Sequence, residues 1–179
     1  ACDNEVFFFE EPDVEEEGEG SENDVDEEYN PYVEPTTRSS IVSLNGMAVA
    51  AEIPDGVFMT EAELSVSEFN EEYSAAIALG YMNARSGEPI YLVSMIALEI
   101  GFVLPNGQTI NPNGTAPIGL TVASNEILSM NDPHLFRLIN GGIEEITDAD
   151  FSMPGTVTFY SYAFSPIVIA DFTAEEPVD

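Results

Sequence analysis

The sequence predicts an all-β protein, an antiparallel β-sandwich with one short helical insert and an acidic N-terminal arm. Three observations predict it. From Ser40 onward the chain runs in short apolar stretches cut by Gly, Pro and Asn, the one-dimensional trace of strands and reversals. Asn-Gly pairs stand at Asn45-Gly46, Asn106-Gly107, Asn113-Gly114 and Asn140-Gly141, and both residue types tolerate the positive φ angles of tight hairpin turns. Several stretches alternate apolar and polar residues with the period of two that half-buries a strand.

In chain order, residues 1–37 form the arm. Val6, Phe7, Phe8 and Phe9 head a run that is otherwise mostly carboxylate, and residues 10–35 bury too little apolar surface to offset chain entropy. The sandwich occupies 38–173. Its first strands are IVSL (41–44) and MAVAAEI (47–53), followed by AELSVSEF (62–69), with Ala62, Leu64 and Val66 on one face. From Ser67 to Ala84 the texture changes to helix formers, with early carboxylates and apolar Tyr73, Ile77 and Met82. This predicts one helix or a set of helical turns, with Gly80 a candidate point of interruption. Strands resume with ALEIGFVL (97–104), where Leu98, Ile100 and Phe102 share a face, then PIGLTVA (117–123), LFRLI (135–139), VTFYSY (157–162) and PIVIADF (166–172). Residues 174–179 read as a linker or tail.

Charge narrows the function classes. The 179 residues hold 34 acids against three basic residues, Arg38, Arg85 and Arg137, with no lysine, for a net −31. Fifteen of the acids lie in residues 1–35, so the arm carries much of the imbalance. Nucleic acid and anionic membrane surfaces would repel such a chain. No apolar run approaches the roughly 18–20 residues of a membrane span, and no cleavable signal with a basic head is present. The composition suits an extracellular or cell-surface protein, or one from a salty environment. The single cysteine, Cys2, has no partner for an internal disulfide. Ala1-Cys2 also matches the end of a lipoprotein signal, beside the plainer reading of an exposed thiol.

Catalytic chemistry finds few candidates. His134, in NDPHLFRLING, opens a strand that runs to the Asn140 turn, where a hydrogen-bonding role at the strand mouth is the expected one. A Ser-His-Asp arrangement would have to use that histidine, and no Gly-x-Ser-x-Gly elbow precedes a helix. One histidine and one terminal cysteine are too few for a closed zinc set. Asp24, Asp26, Glu27 and Glu28 lack the loop spacing that wraps oxygens around calcium, so only diffuse cation binding is expected there. Asn113-Gly114-Thr115 fits a glycosylation acceptor, but a turn explains it. No enzyme activity, cofactor or metal is expected.

Three stretches together resemble an immunoglobulin-like β-sandwich domain of large surface proteins and adhesins of Firmicutes: IPDGVFMTEAELSVSEF from Ile53, ALEIGFVLPNGQTINPNGTAPIGLTVA from Ala97, and HLFRLINGGIEEI running on to GTVTFYSYAFSPIVIADF. The resemblance spans roughly residues 41–172 and implies an extracellular, non-enzymatic module acting in adhesion or as a spacer. The lysine-based isopeptide cross-links of many such domains are impossible in a chain without lysine. The closing strands also resemble the sandwich domains of ankyrins and netrin receptors, some of which cut themselves at His-Phe-Ser. Here Phe164 and Ser165 are present, but Ala163 takes the place of the histidine, so self-cleavage would need His134 to reach across the sheets.

Val6, Phe7, Phe8 and Phe9 are the candidate partner-binding residues. An extended apolar segment can add to a sheet edge by backbone hydrogen bonds. Pairing with its own body, pairing with another copy and a free tether all remain open. Partners are therefore expected to be other protein chains, copies of this chain or a surface ligand. The alternative function is a self-assembling filament or surface-array subunit joined by this N-terminal segment.

Overall fold

The computed structural model describes residues 37–178. The arm with Val6, Phe7, Phe8 and Phe9, the acids Asp24, Asp26, Glu27 and Glu28, and Cys2 lie outside them. The described residues form the expected all-β antiparallel sandwich. One sheet has the order β1-β2-β6-β9, built from β1 (Thr37–Leu44), β2 (Met47–Pro54), β6 (Ile118–Ala123) and β9 (Thr156–Ser161). The other has the order β3-β4-β10-β7-β8, from β3 (Glu63–Glu68), β4 (Tyr91–Val103), β10 (Ile167–Thr173), β7 (Pro133–Ile139) and β8 (Gly142–Glu145). A two-residue strand, β5 (Thr109–Ile110), also pairs with β4. Every ladder is antiparallel.

Two of the four Asn-Gly pairs make two-residue hairpins. Asn45 and Gly46 have φ of 51° and 81°, and Asn140 and Gly141 have 49° and 77°, so both central residues take the left-handed conformation that matches strand twist. They join β1 to β2 and β7 to β8 with Leu44 opposite Met47 and Ile139 opposite Gly142.

Between the sheets lies a core that includes Val49, Leu98, Phe102, Leu120, Leu135 and Ile169. Leu64, Ile100 and Phe102 point into it, as alternation predicts. A second core covers the opposite face of the β10 sheet, where Ala97, Phe136, Val168, Ala170 and Phe172 pack under Ala78 of α1 (Glu71–Ser86). The helix is thus a third layer, and β10 is apolar almost throughout because both its faces are covered.

Helix boundaries differ from the expectation. Ser67 and Glu68 finish β3, and Asn70 caps the helix by accepting from the Tyr73 N–H at 2.9 Å, with Glu71 and Glu72 in the favourable first turn. Gly80 does not interrupt it, since the packed face on either side holds the turn in place; Gly87, at φ 77°, ends it. A four-residue helix, α2 (Asn125–Leu128), was not expected and is capped by Ser124. Strand β4 begins at Tyr91, ahead of the expected Ala97, with a bulge where Ser94 pairs with Asp171 but Leu92 with Phe172. The extra residue, Val93, shifts the alternation so that Leu92 and Met95 both pack on the helix side.

Candidate functional site

Asp171 starts the best-defined polar cluster. It lies on β10 with 1% of its surface exposed, and its carboxylate accepts the backbone N–H groups of Asn131 (3.2 Å) and Asp132 (2.7 Å). Those two bonds satisfy the buried charge and shape the turn that leads into β7. The turn sets the Asp132 carboxylate 3.3 Å from Nε2 of His134. The β7–β8 hairpin then returns Glu145, whose Oε2 lies 2.6 Å from Nδ1 of the same ring. The imidazole stacks at 6.2 Å on Phe136 and meets Phe172 edge-on at 5.6 Å.

Burial pulls the pKa of His134 down, but the hydrogen bonds and charges of Glu145 and Asp132 more than reverse this, and the net shift is upward from 6.5. Both ring nitrogens face carboxylates, which favours an imidazolium donating to each. A general base instead presents a free lone pair to a substrate proton. This is the strand-mouth hydrogen-bonding role expected for His134, with a clasp joining β7, β8 and the preceding turn.

A second cluster lies on the other face of the same sheet. Arg137 Nη1 donates to Ser161 Oγ at 2.9 Å, Arg137 Nε is 3.7 Å from Glu144 Oε1, and the Ser161 hydroxyl donates to the Ala163 carbonyl. Arg137 Nε and Ser165 Oγ are buried without a hydrogen-bond partner and line one cavity of about 10 Å³, room for a single water. Phe164 closes it, its ring 5.1 Å from Phe102 in an edge contact, which is the core aromatic role expected of it. His134 faces the helix side with Phe136 and Phe172, whereas Ser165 faces the sandwich interior with Ile100 and Ile167. The sheet separates them, so His134 does not reach across to activate Ser165.

The largest cavity among those described is an open groove of about 430 Å³ where β2 crosses to the β3 sheet. Arg38, Ile53, Asp55, Phe58, Met59 and Glu61 line it, with Met59 88% exposed. The Arg38 guanidinium donates to the Ala62 carbonyl, bracing one wall. Asn113 braces another: its Nδ2 donates to Gly56 O at 2.8 Å, while its Oδ1 accepts from the Thr115 N–H and hydroxyl. That is the turn role expected of Asn113-Gly114-Thr115. Among the described residues no three His, Cys, Asp or Glu side chains group as metal ligands, and no helix is long and apolar enough to cross a membrane.

Sequence reasoning found His134 but missed Asp132, Glu145 and Asp171 as its surroundings. Register arithmetic would have supplied one of them: a two-residue turn at Asn140-Gly141 sets Glu145 opposite Phe136, diagonal to His134. Asp171 carries no such local signal, because its partners lie 39 and 40 residues away. The two-sheet antiparallel sandwich with its covering helix defines the class of the molecule; no protein-family model, curated protein or solved structure matches the chain.

Proposed function

We propose that this chain is a non-enzymatic, extracellular cell-surface module that acts in adhesion through the loop groove beside Arg38 and Met59. The observation that carries the reading is that groove. Its volume of about 430 Å³ suits a saccharide unit or a protein side-chain cluster, and it pairs an exposed apolar side chain with charges of both signs. Loops held on a rigid sandwich are where binding residues concentrate, and Asn113 and Arg38 hold these loops from two sides. The strongly acidic composition and the described ionisable clusters, which are spent on structural clasps, support a binding or spacer role over a catalytic one. The alternative, a filament or surface-array subunit joined through Val6, Phe7, Phe8 and Phe9, draws on residues outside the described ones.

Solid-phase binding of the full chain to a panel of polysaccharides and extracellular-matrix proteins, beside Met59→Asp, tests the adhesive reading. Binding that falls in Met59→Asp, with thermal stability unchanged, is expected. Binding to nothing in the panel, or binding indifferent to Met59, would count against it.

A further inference from the structure

A sheet edge offers unpaired backbone groups to any chain that can pair with them, and folded proteins blunt such edges with charge, brevity, bulges or cover. Most edges here are blunted. β1 and β3 close on one another: Ser40 Oγ accepts from the Leu64 N–H at 3.3 Å and Arg38 donates to Ala62 O. β8 is four residues long and ends in Glu144 and Glu145. β9 is covered at Thr158, which exchanges both backbone bonds with Asp150 at 2.8 and 2.9 Å.

The first half of β4 differs. β3 pairs with β4 only from Leu98 onward, so Tyr91–Ala97 pairs with β10 on one side and, on the other, receives the Phe69 N–H at Ala97 O. The segment reads YLVSMIA and carries no charge. Its bulge residue, Val93, is 56% exposed. Among the described residues, the bulge and the Phe69 contact at Ala97 are what blunt this edge.

We propose that the Leu92–Ile96 edge of β4 pairs antiparallel with the same edge of a second copy, joining two sheets across a two-fold axis. Isologous pairing of one strand with itself is necessarily antiparallel. Centred on Ser94, it sets Val93 opposite Met95 and Leu92 opposite Ile96 and stops short of Ala97, whose carbonyl holds the Phe69 N–H, so every facing pair is uncharged. The Val6–Phe9 segment matches this edge less well, since Glu5 and Glu10 flank it and a five-residue pairing would lay a carboxylate against the apolar edge. Between two chains of net −31, an uncharged edge is also where approach meets the least local repulsion. Edge pairing buries little surface, so the dimer is weak and concentration-dependent. It strengthens with salt, because screening shortens the reach of the repulsion from about 10 Å at 0.1 M to about 3 Å at 1 M.

Sedimentation equilibrium of the full chain at 0.1 M and 1 M NaCl tests this without reference to adhesion. The expected result is a dimer whose fraction rises with concentration and salt, with the Val93 and Met95 amides slowed in hydrogen exchange as it forms. Val93→Glu, at an exposed side chain, weakens association by about tenfold or more. Ile41→Glu, a charge-matched change at a site 67% exposed on β1, leaves it intact. A monomer at every concentration in 1 M NaCl overturns the proposal, as does equal weakening by both glutamates. Loss of the dimer in Phe7→Ser/Phe8→Ser but not in Val93→Glu overturns it in favour of the N-terminal segment as occupant.

Discussion

Nδ1 of His134 lies 2.6 Å from Oε2 of Glu145, across the hairpin that turns at Asn140-Gly141. The contact ties the start of β7 to the end of β8 and, through Asp132 and Asp171, to the C-terminal part of β10.

Stability therefore falls as pH rises past neutrality. The folded pKa of His134 is raised above the unfolded value of 6.5, so the folded state holds its proton more tightly. The stabilisation is fully present below the unfolded pKa and is lost as pH rises through the folded one. Urea midpoints of the wild type should decline from about pH 6 through that range. His134→Gln should flatten this decline, and Glu145→Gln should lower the histidine pKa measured by NMR titration.

Asp171→Ala removes the shared acceptor of two backbone N–H groups in a buried setting, and should cost about 1.5–3 kcal/mol in urea unfolding. Asp171→Asn retains one side-chain acceptor and should cost less. Equal losses in the two variants would assign the effect to the paired carboxylate oxygens and not to side-chain volume.

Phe136 is fully buried in the layer beneath the helix, with edge contacts to Tyr81 at 5.4 Å and Phe172 at 6.1 Å. Phe136→Ala should destabilise by about 3–5 kcal/mol, the cost of an unfilled aromatic cavity. Because the layer includes α1, circular dichroism should show helix and sheet lost in one transition. Separate transitions would show that the helix layer is an independent unit.

Asn70→Ala deletes the N-cap of α1 and should cost about 1 kcal/mol. Asn70→Asp keeps the acceptor and adds a charge favourable to the helix N-terminus, but beside Glu71 and Glu72. Its midpoint should stay close to that of the wild type.

Strand content was legible because local chemistry enforces it. Asn45-Gly46 and Asn140-Gly141 specify hairpins, and Leu64, Leu98, Ile100 and Phe102 alternate toward one core, so the reading needs no distant partner. The helix was legible as a helix but read as an insert, since Ile77, Ala78 and Tyr81 show an apolar face without showing what covers it. Its start was misplaced at Ser67 because a strand and a helix compete there, and pairing of Glu68 with Leu98 settles the contest in favour of the strand. His134 was visible as a strand-mouth histidine, while its partners emerged only from the turn before β7 and the register of the hairpin after it.

By itself the sequence determined the class: short alternating strands, tight Asn-Gly reversals and a dense surplus of carboxylate over three arginines. Tertiary structure decided what those residues face. It paired His134 with two carboxylates, separated it from Ser165 by a sheet, laid α1 over β10 and, among the described residues, gave the start of β4 a strand partner on one side only. The physical reason is the range of the forces involved. Backbone preference and alternation act between near neighbours, whereas burial, charge pairing and edge exposure depend on residues dozens of positions apart that only the packed sheets bring together.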